Sequence, residues 1–155
     1  RWVRATEGEG LSSPSGWLPE ALSHDLAEHH VGLSDARLDP SRLADFSMDL
    51  PAALDPTHRR LRLRWEPVDG ALVERPRALL LHRHATRHTV ETLELTPMAA
   101  DVLDALDDGV TPATGAVRSV LSRHDLAAGA VFIESLAGLL AELMERGVLL
   151  GSLRG

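Results

Sequence analysis

Residues 95–121 read LTPMAADVLDALDDGVTPATGAVRSVL, and the repeated Thr-Pro in this stretch decides the fold. A threonine hydroxyl can accept hydrogen bonds from the free backbone N–H groups at a helix start. A proline in the next position loses nothing, because its missing N–H has no partner in the first turn anyway. Thr96-Pro97 and Thr111-Pro112 therefore predict two helices in quick succession, each capped by its threonine. The first runs from about Pro97 to Asp107, with Met98, Val102, Leu103 and Leu106 inward, and Asp108-Gly109 ends it. The second runs from about Pro112 to Arg123, with Val117, Val120 and Leu121 inward. A longer third helix follows from about Ala127 to Arg146 on a stripe of Leu136, Leu139, Leu140 and Leu143. Gly147 stands where a left-handed cap belongs, and "VLLGSL" reads as a closing strand.

Upstream, "RRLRLRW" alternates strictly. Leu61, Leu63 and Trp65 share one face and Arg60, Arg62 and Arg64 the other, which predicts a half-buried strand with a basic outer face. Asp69-Gly70 is a turn signal. "RALLLHRH" and "TVETLEL" are two more β-rich runs, joined by a hairpin-length "ATRH". From Ala78 onward the order is β-β-α-α-α-β, a winged-helix-like unit. Before it, Leu18, Leu22 and Leu26 mark one apolar helix face with Gly32 as its stop. Asp39-Pro40 opens a short helix to about Phe46, and "SMDLPAALDP" is extended. The fold class is α+β: a linker or loose tail over 1–16, a helical N-terminal portion over 17–58, and a winged-helix-like recognition domain over 59–155.

Composition narrows the function. The core must be aliphatic, since 44% of residues are hydrophobic but only 3% aromatic. The absence of cysteine excludes disulfides, thiolate metal sites and a cysteine nucleophile. No apolar run approaches bilayer length and no signal peptide opens the chain, so a cytoplasmic protein is expected. The chain begins with Arg1 and not Met, as expected of a fragment or processed chain. All 16 basic residues are arginine, a usage that a GC-rich genome accounts for.

The net charge of −7 argues against nonspecific nucleic-acid binding. It is unevenly spread: Arg59 to His88 holds eight arginines against three acids, +5, leaving −12 for the remainder. Arg60, Arg62, Arg64, Arg77, Arg83 and Arg87 are the candidate peptide- or partner-binding residues, because an exposed strand flanked by arginines suits an acidic extended peptide. Asp101, Asp104 and Asp108 fall on one face of the first capped helix and read as a solvated acidic face. Beside them Arg118 and Arg123 are the only cations of the second helix, so docking on DNA is disfavoured by charge.

Catalytic patterns are absent. There is no G-x-S-x-G, "GVTPATG" lacks the lysine and spacing of a phosphate loop, and Ser122, His124 and Asp125 mark a helix end better than a triad. His82 and His84 would project from one strand face as a metal pair does, with His88, His29 and His30 elsewhere, but no further ligand follows at a suitable spacing. Strand and loop histidines are the simpler reading. No enzyme activity, metal or cofactor is expected.

Four segments in order, "MDLPAALDPTHRRLRLRW", "RPRALLLHR", "LTPMAADVLDALDDG" and "LAELMERGVLL", resemble the C-terminal half of HvfC-like proteins, a family also described as a DNA-binding domain family. The resemblance spans roughly Leu38 to Leu153 and rests on hydrophobic pattern more than on fixed polar residues. The family's N-terminal helical domain is reduced here to the helix near 18–30. The resemblance implies a partner protein of a multinuclear iron oxygenase that modifies ribosomally made peptides, holding the precursor's leader while the enzyme does the chemistry. A second resemblance is to PqqD-like peptide-recognition elements, which share the strand–strand–three-helix order. The rival readings are a winged-helix transcriptional regulator and a histidine metal-binding domain.

Overall fold

The computed structural model describes residues 17–154; the linker expected over 1–16 lies outside them. Helix α1 (Trp17–Leu33) leads through a short 3-10 turn at Pro40–Arg42 into strands β1 (Leu43–Ala44) and β2 (Ala52–Leu54). Strands β3 (Arg59–Val68), β4 (Ala71–Arg83) and β5 (Val90–Leu95) follow. Helices α2 (Pro97–Leu106), α3 (Ala113–Arg123) and α4 (Ala130–Glu145) and strand β6 (Leu149–Leu153) complete the chain. It is an α+β fold with two antiparallel three-stranded sheets, ordered β1-β6-β2 and β3-β4-β5.

The hairpin at Asp69-Gly70 forms as its residues predict, with both in positive φ. Pairing of β3 with β4 runs from Arg59↔Leu81 to Val68↔Ala71 and slips once, between Leu63 and Trp65. There β4 carries an extra residue, next to Pro76, so the proline's missing N–H falls at an irregularity and not in a regular ladder.

Both faces of the β3-β4-β5 sheet are covered. On one, Leu61, Leu63, Leu79, Leu81 and Val90 pack with Ala27 and Val31 of α1. On the other, Ala78, Leu80, Leu93 and Leu95 join the main core with Val102, Leu103 and Leu106 of α2, Val117, Val120 and Leu121 of α3, and Leu140 and Leu143 of α4. The capped helices thus bury the residues their spacing selects.

Two of the three expected N-terminal caps behave differently. Asp39 does cap, accepting from Ser41 N–H at 2.9 Å, but only one 3-10 turn follows. Thr96 caps α2 as expected, accepting from Ala99 N–H. Thr111 does not cap α3. Its hydroxyl turns back to the carboxylate of Asp108, which also accepts the N–H groups of Val110 and Thr111. The first free N–H groups of α3 are met from outside the helix: Ala113 donates to the Leu50 carbonyl at 3.0 Å and Thr114 to the Met48 carbonyl at 2.9 Å. A neighbouring extended segment satisfies the same donors that a side-chain cap would.

The N-terminal helix differs most. Leu18, Leu22 and Leu26 are exposed, up to 69% for Leu26. The face turned to the sheet carries Trp17, Glu20, His24, Ala27 and Val31, spaced three and four apart. Small residues at 27 and 31 let the helix lie close to the strands, and polar residues at 20 and 24 conceal the seam from a hydrophobicity reading. Nor does Gly32 act as a left-handed stop; the helix ends at Leu33 and its last carbonyls are met by Arg83. The left-handed cap of α4 is as expected: Gly147 has φ +76°, and Val148 N–H returns to the Leu143 carbonyl at 2.8 Å.

Candidate functional site

Period-two alternation places Arg60 and Arg62 on the sheet face opposite α1, and that face meets α2. The basic stripe and the acidic helix face are therefore partners, and neither is a free solvated surface. Arg60 lies 2.7 Å from Asp104, in ion contact without hydrogen-bond alignment at Nε, and donates to Asp107 at 2.8 Å. Arg62 donates to Asp101 and Asp104, each at 2.6 Å. Hydrogen bonds from His124 and then Arg62 hold the Asp101 carboxyl below the usual carboxylate range.

The remaining candidate arginines are engaged too. Arg64 pairs with Glu74 at 2.6 Å and sits over the Trp65 ring at 5.6 Å. Arg77 reaches Glu66 at 3.4 Å, and Arg87 pairs with Glu91. Arg83 donates to three carbonyls, those of Val31, Gly32 and Ser34, at 2.7, 2.9 and 2.7 Å. All six thus have partners within the chain. Their charge does not form the open stripe that spacing suggests.

The histidine pair separates as well. His82 is fully buried on the core side of β4, and neither ring nitrogen has a hydrogen-bond partner. His84 is half-buried, and its Nδ1 accepts the N–H groups of Thr86 and Arg87 in the hairpin turn. His24, Asp25 and Glu28 on α1 bring ligand atoms within 4.8 Å of one another, an exposed group.

Two buried histidines make stability depend on pH. Burial pushes the imidazoles of His82 and His58 below the usual 6.5, and nearby Arg146 and Arg60 act in the same direction. At His58, Nε2 faces Arg60 Nη1 at 2.7 Å and so must accept, which favours the neutral ring, while the Asp55 carbonyl at Nδ1 acts in the opposite direction and only partly offsets burial. The unfolded chain takes up protons at pH 6.5 and below that the folded chain refuses. This contribution to stability is present in full above pH 6.5 and is lost as pH falls through the depressed folded values. Thermal melts at about pH 7.5 and 5.5 are expected to show lower stability at the acid value. His82→Leu is expected to shrink the difference; an unchanged difference in that variant would assign it to other groups.

Two open features of the molecule lie around α1 and β5. The β3-β4-β5 sheet has two edges, and they differ. At β3 the Glu20 carboxylate accepts the N–H of Arg64 at 2.9 and 3.0 Å and that of Trp65 at 3.0 Å, so α1 blocks this edge at those two residues. At β5 no strand or side chain among the described residues takes the outer backbone groups. The bond from His84 N–H to the Thr89 carbonyl sets the phase of the ladder: Glu91, Leu93 and Leu95 face β4, while Val90, Thr92 and Glu94 turn their N–H and C=O outward.

Beside that edge a cleft of about 310 Å3 opens between the first half of α1 and the sheet. Trp17 and Ala21 form its roof, Leu63, Trp65, Leu72 and Leu79 its apolar floor, and Thr92 and Glu94 its β5 wall. Arg77 contributes a guanidinium whose only hydrogen bond among the described residues is the long one to Glu66, with Nε buried and unpartnered among them. Sequence reasoning missed the cleft because Trp17, Ala21, Leu72 and Thr92 come from separate elements. A heptad-like seam over 17–31 was the one available hint. No helix among the described residues is long and apolar enough to cross a membrane. Compared with known proteins, the sequence matches no family model and no curated protein.

Proposed function

We propose that the chain is a non-catalytic recognition protein of the cytoplasm. It binds a precursor (leader) peptide and a peptide-modifying multinuclear iron enzyme in ribosomal peptide natural-product biosynthesis. The observation that carries this reading is the unpaired edge of β5. An extended peptide laid along it gains main-chain hydrogen bonds from Val90, Thr92 and Glu94 without displacing any partner among the described residues. Three antiparallel strands followed by three helices also match the order that resembles PqqD-like recognition elements, with β4, β5, α2, α3, α4 and β6 as the winged-helix-like unit. The chemistry belongs to the partner enzyme, and this chain needs no cofactor of its own. Of the six arginines, Arg60 and Arg62 neutralise α2 from behind this surface, Arg64 and Arg87 brace the hairpins, Arg83 pins α1, and Arg77 lines the cleft beside β5.

The test is Thr92→Pro. Its N–H points outward, so the proline leaves the β4 ladder intact and removes a docking donor. Tagged wild-type and variant chains are used to recover partners from the native host. A small ribosomally made peptide that co-purifies with the wild type and falls at least about tenfold in the variant is the expected result. A peptide retained equally by both, or recovery of specific DNA alone, would overturn the reading.

A second reading, a winged-helix transcriptional regulator, is favoured by one observation. Arg118 and Arg123 are exposed on α3 and enter no ion pair among the described residues, while the acids of α2 are already answered by Arg60 and Arg62. DNA binding through α3 predicts a steep fall in affinity with salt and loss in Arg118→Ala and Arg123→Ala. Binding that ignores both substitutions excludes α3 as the contact.

A further inference from the structure

We infer that the cleft between α1 and the β3-β4-β5 sheet is a specificity pocket that receives one large apolar side chain of the docked peptide. The inference rests on the strand-addition reading above. Alternation links the two features. On β5 the residues whose backbone faces outward, Val90, Thr92 and Glu94, also point their side chains to the α1 face, because they pair with Arg83, Leu81 and Leu79. Leu79 and Leu81 pack on that face with Ala27 and Val31 of α1. A strand added to β5 continues the pleat, so every second side chain of the peptide falls on the same face. Those side chains lie next to Thr92 and Glu94, which are exposed and form the open wall of the cleft.

The helix leaves this part of the sheet uncovered by the way it crosses. Near its start Glu20 holds β3 at Arg64 and Trp65. Near its end Gly32 approaches Val90 of β5, and Arg83 takes the final carbonyls. Beneath Trp17 and Ala21, beside Thr92 and Glu94, helix and sheet stand apart, and the cleft opens there. Its walls state the chemistry of the occupant. Leu63 and Leu79 are buried at the floor, with Trp65, Leu72 and Pro67 around them and Trp17 and Ala21 above. Of the charged groups in the lining, Glu20 is committed to backbone N–H groups and Glu94 to Arg75, while His24, Asp25 and Arg77 add polar atoms at the rim. An aromatic or long aliphatic side chain gains most from such walls, and a short polar one leaves them wet. Volume agrees, since about 310 Å3 is at the small end of the range for ligand pockets, suited to one bulky group more than to a whole cofactor.

The experiment uses the full chain as bait for a displayed library of random dodecapeptides, with wild type, Thr92→Pro and Ala21→Phe selected in parallel. Ala21 lines the cleft from α1 and lies outside β5, so a phenylalanine there is directed at the pocket and not at the strand edge. The expected result is a wild-type consensus with one large apolar position. Alanine at that position, or Ala21→Phe in the protein, lowers affinity at least about tenfold, and Thr92→Pro abolishes selection. If the selected peptides depend on Thr92 but show no apolar position and bind Ala21→Phe normally, the pocket is overturned and strand addition stands. If no Thr92-dependent peptide emerges, strand addition fails and the pocket with it. A dimer that Ala21→Phe dissociates in sedimentation would assign the cleft to a second copy of the chain and overturn the proposal. Should Ala21→Phe fail to melt cooperatively, Leu72→Phe on the opposite wall takes its place.

Discussion

Gly151→Ala is expected to cost the folded chain about 3 kcal/mol or more, enough to lower the melting temperature by roughly 10 °C. Gly151 has φ +139°, a conformation that a side chain disfavours, and a Cβ there would lie 2.3 Å from the Ala44 carbonyl oxygen. That oxygen is backbone and cannot swing aside. The position is also central: β6 is the middle strand between β1 and β2, and Gly151 pairs with Ala53. Moving β6 disturbs the segment from Met48 to Ala52, whose carbonyls supply the outside cap of α3. Strain at one residue therefore reaches the main core. Urea denaturation followed by circular dichroism measures the effect; a midpoint within error of the wild type would show that β1 yields at little cost.

The second large effect is expected at Arg83. Arg83→Met keeps the length and apolar stem but removes the guanidinium that closes α1. It leaves the Val31, Gly32 and Ser34 carbonyls without the donor they share. Charge-assisted hydrogen bonds of this kind contribute about 1.5 to 3 kcal/mol, so a loss of about 2 kcal/mol is expected. The loss is local in character. α1 is fastened to the sheet by this cap, by Glu20 on the β3 edge and by two small core residues, Ala27 and Val31. Hydrogen exchange is expected to quicken at the α1 amides before those of β4 and β5. Arg87→Ala is the control: Arg87 is 63% exposed and its pair with Glu91 stands at the surface, so its removal costs less than about 1 kcal/mol. Equal effects of the two substitutions would show that α1 does not depend on Arg83.

These two positions mark how far the chain can be read without coordinates. Gly151 looks like one small residue in a terminal strand, and Arg83 like one more cation in a basic segment. What each does depends on atoms more than forty residues away in sequence, Ala44 for one and Val31 for the other. The cleft has the same character, since its lining comes from α1 and three strands.

The sequence by itself determined the elements of the second half. Thr96-Pro97 starts α2, Gly109 and Gly147 take the positive φ that ends a helix, Asp69-Gly70 turns a hairpin, and the alternation at 60–65 makes a strand. These are contests between a residue and its own backbone, settled within about four positions, so the chain carries the answer locally. Only the tertiary structure decided which faces meet. A leucine stripe at 18, 22 and 26 defines a direction on α1 but not what lies in it, and the helix turns Ala27 and Val31 to the sheet instead. Arginines at 60 and 62 read as an open binding stripe and aspartates at 101 and 104 as a solvated face when taken alone, and folding sets them against each other. The Thr111 hydroxyl yields its capping role to two carbonyls of the Met48–Leu50 segment. The physical reason is common to all three. Backbone preference is a property of neighbours in sequence, whereas the partner of a side chain is a property of neighbours in space.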